Sequence, residues 1–258
     1  MSSTYSISSS QIISLALGRL GVLEIGDTPD SNTYANALMA LNLLIKQASI
    51  DGLKLWKISE LIIPTTANQT TYTLGGSSST LMYDSLNPTV AITDKPLKII
   101  QGFYRNIQVS PPIDTPVLLV SKQEYNVLGS KFSTGTANTL FYDPRSTYGV
   151  LYVYLTPDLN SQTNIQLHVI AQMPINDVTL NTGTSTDTPD FPIEWQNYLV
   201  WGLADELSMQ YGVPMNYRQE IMQRAAMYKE KLSDWDVEAS STFFMPEFRS
   251  TNTNSYGR

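Results

Sequence analysis

The strongest constraint in this sequence is a hydrophobic period that changes twice. Up to about residue 57, apolar side chains recur at helical spacing. From about Ile58 to Leu180 they fall in short runs of β-branched and aromatic residues, broken by Gly, Pro, Asn and Asp. From Pro192 to Val237 helical spacing returns. A helix repeats every 3.6 residues and a strand every two, so one stretch of backbone cannot satisfy both patterns. The predicted fold class is α+β: a four-helix bundle made by the N- and C-terminal helix pairs, with a β-rich insertion and an extended C-terminal tail. The expected domains are a discontinuous helical bundle over 1–57 and 190–237, a β-rich insertion over 58–189, and the tail over 238–258.

The helical segments carry their own punctuation. Ser8 and Gln11 have the spacing of a capping box, and Ile12, Leu15, Ala16 and Leu20 follow at helical spacing. A second helix is expected from about Asp30 or Ser31, with a stripe of Tyr34, Leu38, Leu41, Ile45 and Ala48 and a stop at Gly52. Pro192 fits the first turn of a third helix, whose apolar face holds Trp195, Leu199, Gly202, Leu203 and Leu207 before Gly212-Val213-Pro214 ends it. The fourth is expected from Asn216, with Ile221, Ala225, Tyr228, Leu232 and Trp235 forming a coiled-coil-like seam. Exposed stripes of this kind need a partner, so Leu15, Leu38, Leu41, Leu203 and Tyr228 are expected in one shared core.

Strands are expected at Thr70–Leu74, Leu97–Arg105, Pro116–Ser121, Thr139–Tyr142, Val150–Leu155 and Asn164–Ala171, with a hairpin turn from Asp143 to Gly149. The absence of a βαβ rhythm argues against parallel pairing.

Composition narrows the function. Only 15% of residues are charged, and the net charge is −7, from 23 acidic and 16 basic residues. No Lys/Arg cluster supplies the basic face that gripping phosphates requires. The acidic balance still allows DNA to be enclosed without being held. Uncharged polar groups dominate instead, and they are less costly than charges to bury against a partner. There is no cysteine, which removes disulfides, thiolate metal sites and thiol nucleophiles. The first residues lack the basic start and apolar run of a signal peptide, and no apolar run approaches the length of a membrane span. A protein made in the cytoplasm, without membrane contact, is expected, and the Asn68-Gln69-Thr70 sequon then has no glycosylation role.

The groups that could carry chemistry are few. Gly75-Gly76-Ser77-Ser78-Ser79 lacks the Gly-Lys-Ser/Thr of a phosphate loop and reads as a hairpin tip. His168 is the sole histidine and alternates with Leu167 and Val169, so it reads as structural. Asp205 and Glu206 are neighbours on one helix and point about 100° apart, and Glu194 lies near that helix's N-terminus, where its dipole favours a carboxylate. Two catalytic carboxylates would have to face each other across a cleft. Trp195, Trp201 and Trp235 occupy apolar helical positions and read as core, not as base-stacking platforms. No catalytic, metal or cofactor site is expected, and the chain reads as a structural subunit of an assembly.

Several stretches, in order, give the chain a family likeness. They are Ala16-Leu17-Gly18-Arg19-Leu20-Gly21, Ala40-Leu41-Asn42-Leu43-Leu44 with Gly52-Leu53-Lys54-Leu55-Trp56, and Tyr72-Thr73-Leu74-Gly75. Further on come Gly149-Val150-Leu151-Tyr152-Val153-Tyr154, Pro192-Ile193-Glu194-Trp195, and Leu203-Ala204-Asp205-Glu206-Leu207 through Tyr211-Gly212. On these the chain resembles the head-to-tail connector adaptors of tailed bacteriophages, of the packaged-DNA stabilisation and tubular-tail type. Loops 76–96 and 110–138 have no counterpart. The resemblance implies a helical bundle with a β insertion, assembled as a dodecameric ring beneath the portal in the neck of the virion. It implies portal and tail or nozzle proteins as partners, a channel that encloses double-stranded DNA without reading it, and a C-terminal extension that docks on the portal. The alternatives are a virion-associated cell-wall hydrolase and a tail accessory or receptor-binding module.

The tail itself combines Ser, Thr and Asn with an apolar cluster that Pro246 keeps from being helical. Phe243, Phe244, Met245, Phe248, Arg249 and Tyr256 are the candidate partner anchors.

Overall fold

The computed structural model describes residues 7–24, 26–50, 55–76, 80–178 and 188–235. Two helices come first, α1 (Ser9–Arg19) and α2 (Ser31–Ile50). The sheet region follows: β1 (Ile58–Ile63), β2 (Thr71–Leu74), β3 (Met82–Asp84), β4 (Asn87–Ile92), β5 (Lys98–Asn106), β6 (Ile113–Leu119), α3 (Lys122–Val127), β7 (Thr139–Pro144), β8 (Gly149–Tyr154), α4 (Leu159–Asn164) and β9 (Ile165–Gln172). Two further helices are α5 (Gln196–Ser208) and α6 (Met215–Trp235).

The expected four-helix bundle with a β insertion is not what forms. The protein is mixed α/β, with six helices among the described residues, and it is dominated by one nine-stranded sheet in the order β2-β8-β7-β6-β5-β9-β1-β3-β4. The reason lies in pairing distance. Strands β1 and β5 both pair with β9, far along the chain, and no local pattern announces such partners. Three strands escaped the sequence reading, β1, β3 and β4. The helices are also not four equal members of a bundle. Helix α5 is buried on nearly every side, from Tyr198 through Ala204 and again at Leu207, while α1, α2 and α6 pack around it. Leu38, Leu41 and Leu203 are buried in that cluster and Tyr228 is partly buried against it, but Leu15 points outward and is 45% exposed.

Parallel pairing, argued against from the sequence, occurs between β6 and β7. Leu118 and Leu119 of β6 pair with Thr139 and Leu140 of β7. The crossover between them includes α3, started by a capping box between Ser121 and Glu124. At this point the sheet folds over itself. A side chain at Gly102 of β5 would begin 2.7 Å from the Cδ1 tip of Leu140 of β7, so the two strands lie close together here. Both halves then line one core, with Leu61, Ile63, Tyr72, Leu74, Leu140, Leu151, Val153, Leu167 and Val169 facing inward.

Local signals elsewhere match their elements. Ser8 accepts from the Gln11 amide at 3.3 Å, and the Gln11 side chain accepts from the Ser8 amide at 2.8 Å. Strands β7 and β8 form the expected hairpin. Helix and sheet meet where Trp56, Phe191 and Trp195 cluster with ring centroids 5.0–5.8 Å apart. Beside them, the Asn42 amide clamps the backbone of Val178 through two 2.9 Å hydrogen bonds.

Candidate functional site

The outer face of the sheet carries a row of polar groups made by strand register. Leu61 and Ile63 point into the core, so Glu60 and Ile62 of β1 point out. Val169 and Leu167 likewise face in, placing His168 and Gln166 of β9 on the outer side with Phe103 and Arg105 of β5 and Asp114 of β6. Glu60 Oε1 lies 2.8 Å from His168 Nδ1 and also accepts the Ser85 hydroxyl at 2.8 Å. Phe103 stacks on the imidazole at 4.9 Å. The Arg105 guanidinium lies over Phe103 and makes a two-pronged bond to Asp114, both arms 2.7 Å.

His168 is thereby only 1% exposed although it lies on the outer face. Burial pulls its pKa below the usual histidine value and Arg105 adds to that, while the Glu60 hydrogen bond and the charge of Asp114 push the other way. Asp114 is held below the ordinary carboxylate range by its hydrogen bonds to Arg105. The order of groups decides what the row can do. In a nucleophilic triad the histidine stands between hydroxyl and carboxylate and takes the hydroxyl proton. Here the carboxylate stands between Ser85 and His168, so the serine hydrogen bond goes to a weak base and not to the imidazole. The arrangement ties β1, β9, β5 and β6 together, and it has no activated nucleophile.

The three acids singled out from the sequence are spread along α5 and the short turn Ile193–Trp195 that precedes it. Glu194 and Glu206 are exposed. Asp205 is half-buried, and burial raises its pKa while Arg218 of α6 offsets part of that. All three come from one helix and the turn that leads into it, and do not form two walls of a cleft. Trp195 and Trp201 are buried in the helical cluster. Trp201 is held between two guanidinium groups, Arg19 at 5.0 Å and Arg224 at 5.1 Å, a juxtaposition no local pattern signals. Gly75 and Gly76 adopt positive φ, and a side chain at Gly75 would start 2.5 Å from the Lys95 backbone, so this glycine serves chain packing. The rest of that motif, residues 77–79, and the six anchors Phe243, Phe244, Met245, Phe248, Arg249 and Tyr256 lie outside the described residues, as does the Gly52 stop.

On the helical layer, large apolar side chains stand exposed. Helix α2 buries Leu38, Leu41, Leu44 and Ile45, yet Met39 and Leu43, one turn apart, are each 66% exposed. They line a groove of about 430 Å³ with Ala35, Lys46 and Asp177. Along the outer side of α1, two hollows of about 610 and 440 Å³ meet at Ser14 and Leu15. Sequence reasoning placed Leu15 in the core because helical spacing gives a stripe without saying how wide its buried part is.

No helix among the described residues is long and apolar enough to cross a membrane. Among the same residues no group of three or more His, Asp or Glu side chains is placed to hold a metal ion. No protein-family model matches the chain, and no curated protein matches it in sequence.

Proposed function

We propose that the protein is a structural subunit of a phage neck, a ring-forming head-to-tail adaptor that sits beneath the portal, extends the channel for double-stranded DNA and links capsid to tail. The observation that carries this reading is the apolar outer surface of α1 and α2. Met39, Leu43 and Leu15 are left exposed by the described residues, on a layer whose core is already complete without them. Large apolar side chains grouped on the surface mark sites of contact with other proteins. The family resemblance of the sequence supplies the kind of partner, and the net charge of −7 suits a conduit that must release DNA. On the alternative, a cell-wall hydrolase, the polar row around Glu60 and His168 works against acyl chemistry because its carboxylate, not its histidine, meets the serine.

The test is image reconstruction of purified particles together with deletion of residues 239–258. The reading expects a closed ring at the neck, and a truncated subunit that keeps its helical content but loses attachment to the portal. Density for this chain at a fibre tip or inside the capsid, or full attachment by the truncated subunit, would overturn it.

A further inference from the structure

The trough on the outer side of α1 has a shape, a polarity and a position that together specify an occupant. Its larger hollow is lined by Ile7, Leu15, Pro29 and Tyr34, and the smaller one continues past Gly18 to Glu24 and Asp27. One end is therefore apolar; the other sets the carboxylates of Glu24 and Asp27 beside Arg19, whose guanidinium lies over Trp201 at 5.0 Å, and is acidic on balance. No ion pair to Glu24 or Asp27 occurs among the described residues. Ser10, Ser14 and Gly18 keep the floor low, since they recur every fourth residue on one side of α1.

The chain beyond Trp235 carries the complementary order. Phe243 and Phe244 come first, Phe248 follows, and Arg249 comes directly after it. Extended, Phe244 to Phe248 covers ~13 Å. Ser10 to Gly18 of α1 covers ~12 Å. Two aromatic anchors thus match two hollows in sequence, and the arginine falls at the carboxylates.

The described structure also ends at a suitable place. The Tyr217 hydroxyl donates to the Arg19 carbonyl at 3.0 Å, so α6 begins beside the C-terminal end of α1. A short turn joins α5 to α6, which makes that pair antiparallel. Ile7, just ahead of α1, lines a crevice with Gln196 and Leu199 at the start of α5, so α1 and α5 run the same way. Helix α6 consequently runs back towards the N-terminal end of α1, where the larger hollow opens. The eight residues from Trp235 to Phe243 reach up to ~28 Å.

We infer that, in the free subunit, residues 243–249 occupy the α1 trough of their own chain, with Phe243 or Phe244 in the larger hollow, Phe248 in the smaller, and Arg249 against Glu24 and Asp27. The inference goes beyond the adaptor reading and stands without it. If both hold, docking on the portal is an exchange of one apolar partner for another, and the trough tunes it by competing for the anchors.

The chain has no cysteine, so engineered thiols report cleanly. Full-length protein with Ser14→Cys and Phe244→Cys is oxidised at low micromolar concentration, beside a control pair of Val127→Cys and Phe244→Cys at an exposed position on α3. Intramolecular docking should make the first pair close within one chain at least about tenfold faster than the control, by raising the effective concentration of its thiols. Adding Leu15→Asp, at an exposed position, should return it to the control rate with the far-ultraviolet dichroism unchanged. Equal rates for the two pairs overturn the inference, as do disulfide-linked dimers as the main product and a rate indifferent to Leu15→Asp. None of these readouts involves the portal, so failure here and failure of the adaptor reading are distinguishable.

Discussion

The helical layer and the sheet finish their outer surfaces in opposite ways. Helix α2 leaves Met39 and Leu43 bare, with only Lys46, paired to Asp177, as a charged neighbour. The outer face of β1, β9, β5 and β6 instead closes on itself through Ser85, Glu60, His168, Phe103, Arg105 and Asp114. A row whose polar groups are already partnered gains little from a second protein, whereas an apolar stripe gains by losing water. The sheet's outer row holds strands in register; exposed apolar side chains stand on α2 and also, away from that row, at Ile113 and Leu118 of β6, and on the proposed reading the helical stripe is the contact surface.

The sharpest way to break that contrast is to compare neighbours on α2. Leu41 is fully buried and Met39 is exposed. Leu41→Ala should cost about 2–5 kcal/mol in chemical denaturation, through lost burial and the cavity left behind. Met39→Ala should stay within about 0.5 kcal/mol yet weaken association in sedimentation or ring assembly. Equal stability losses at the two positions would show that the outer stripe is held within the subunit and offers no contact surface.

A second effect tests the strand connections. Gly75 combines a φ of +76° with backbone of Lys95 at 2.5 Å from where a side chain would begin. Since backbone cannot swing aside as a side chain can, Gly75→Ala should cost about 1–3 kcal/mol. Gly102→Ala should cost less, because its obstacle is the movable tip of Leu140. Thermal melts of the two variants give the order directly, and a larger loss at Gly102 would mean that the fold of β5 over β7 is tighter than the link beside β2.

The histidine gives the sheet a pH signature of its own. Burial lowers the folded-state pKa of His168, so between that value and the ordinary value of about 6.5 the unfolded chain binds more protons than the folded one. Stability contributed by the neutral ring is complete above the unfolded value and is lost as pH falls through it. Wild type should therefore lose more Tm than His168→Gln between pH 7.5 and pH 5. Parallel Tm curves for the two proteins would mean that Glu60 fully offsets the cost of burying the charged ring.

What the sequence disclosed follows from the range of each signal. Capping at Ser8 and the hairpin from Asp143 to Gly149 depend on residues a few positions apart, and each matches its element; of the seam Ile221, Ala225, Tyr228, Leu232 and Trp235 on α6, Ile221, Ala225 and Leu232 are buried and Tyr228 partly so. The dominance of the sheet was not legible, because β9 pairs with β1 more than a hundred residues away and with β5 about sixty to seventy residues away. The parallel pairing of β6 and β7 was not legible either: both strands were expected, but nothing local says that they lie side by side, and α3 between them was not foreseen. The polar row was half visible. His168 could be placed on a strand, but nothing local says that Glu60, more than a hundred residues earlier, stands beside it. Leu15 shows the converse, a correct helix with the width of its buried face misjudged.

The smallest expected effect sits at the rim of the same row. Arg105 and Asp114 face each other directly across β5 and β6 with two 2.7 Å bonds. Their geometry is as favourable as such pairs become, since the guanidinium fork matches the carboxylate. Exposure works against it, because both side chains are about a third or more open to solvent and water and salt screen the attraction. Removing the pair with Arg105→Gln and Asp114→Asn should reveal a coupling of only about 0.2–1 kcal/mol in a double-mutant cycle, shrinking further in 1 M salt. The pH dependence has the opposite origin to that of His168. Hydrogen bonds to Arg105 lower the Asp114 pKa, so its contribution is present above the unfolded carboxylate value and disappears as pH falls through the folded one. Arg105 also covers Phe103, which in turn covers His168. If the row acts as a connected unit, Arg105→Gln should open the imidazole to water and bring its pKa, read by NMR, back towards the ordinary value. A pKa unmoved by Arg105→Gln would make the pair a rim decoration and leave Phe103 and Glu60 as the groups that set the histidine.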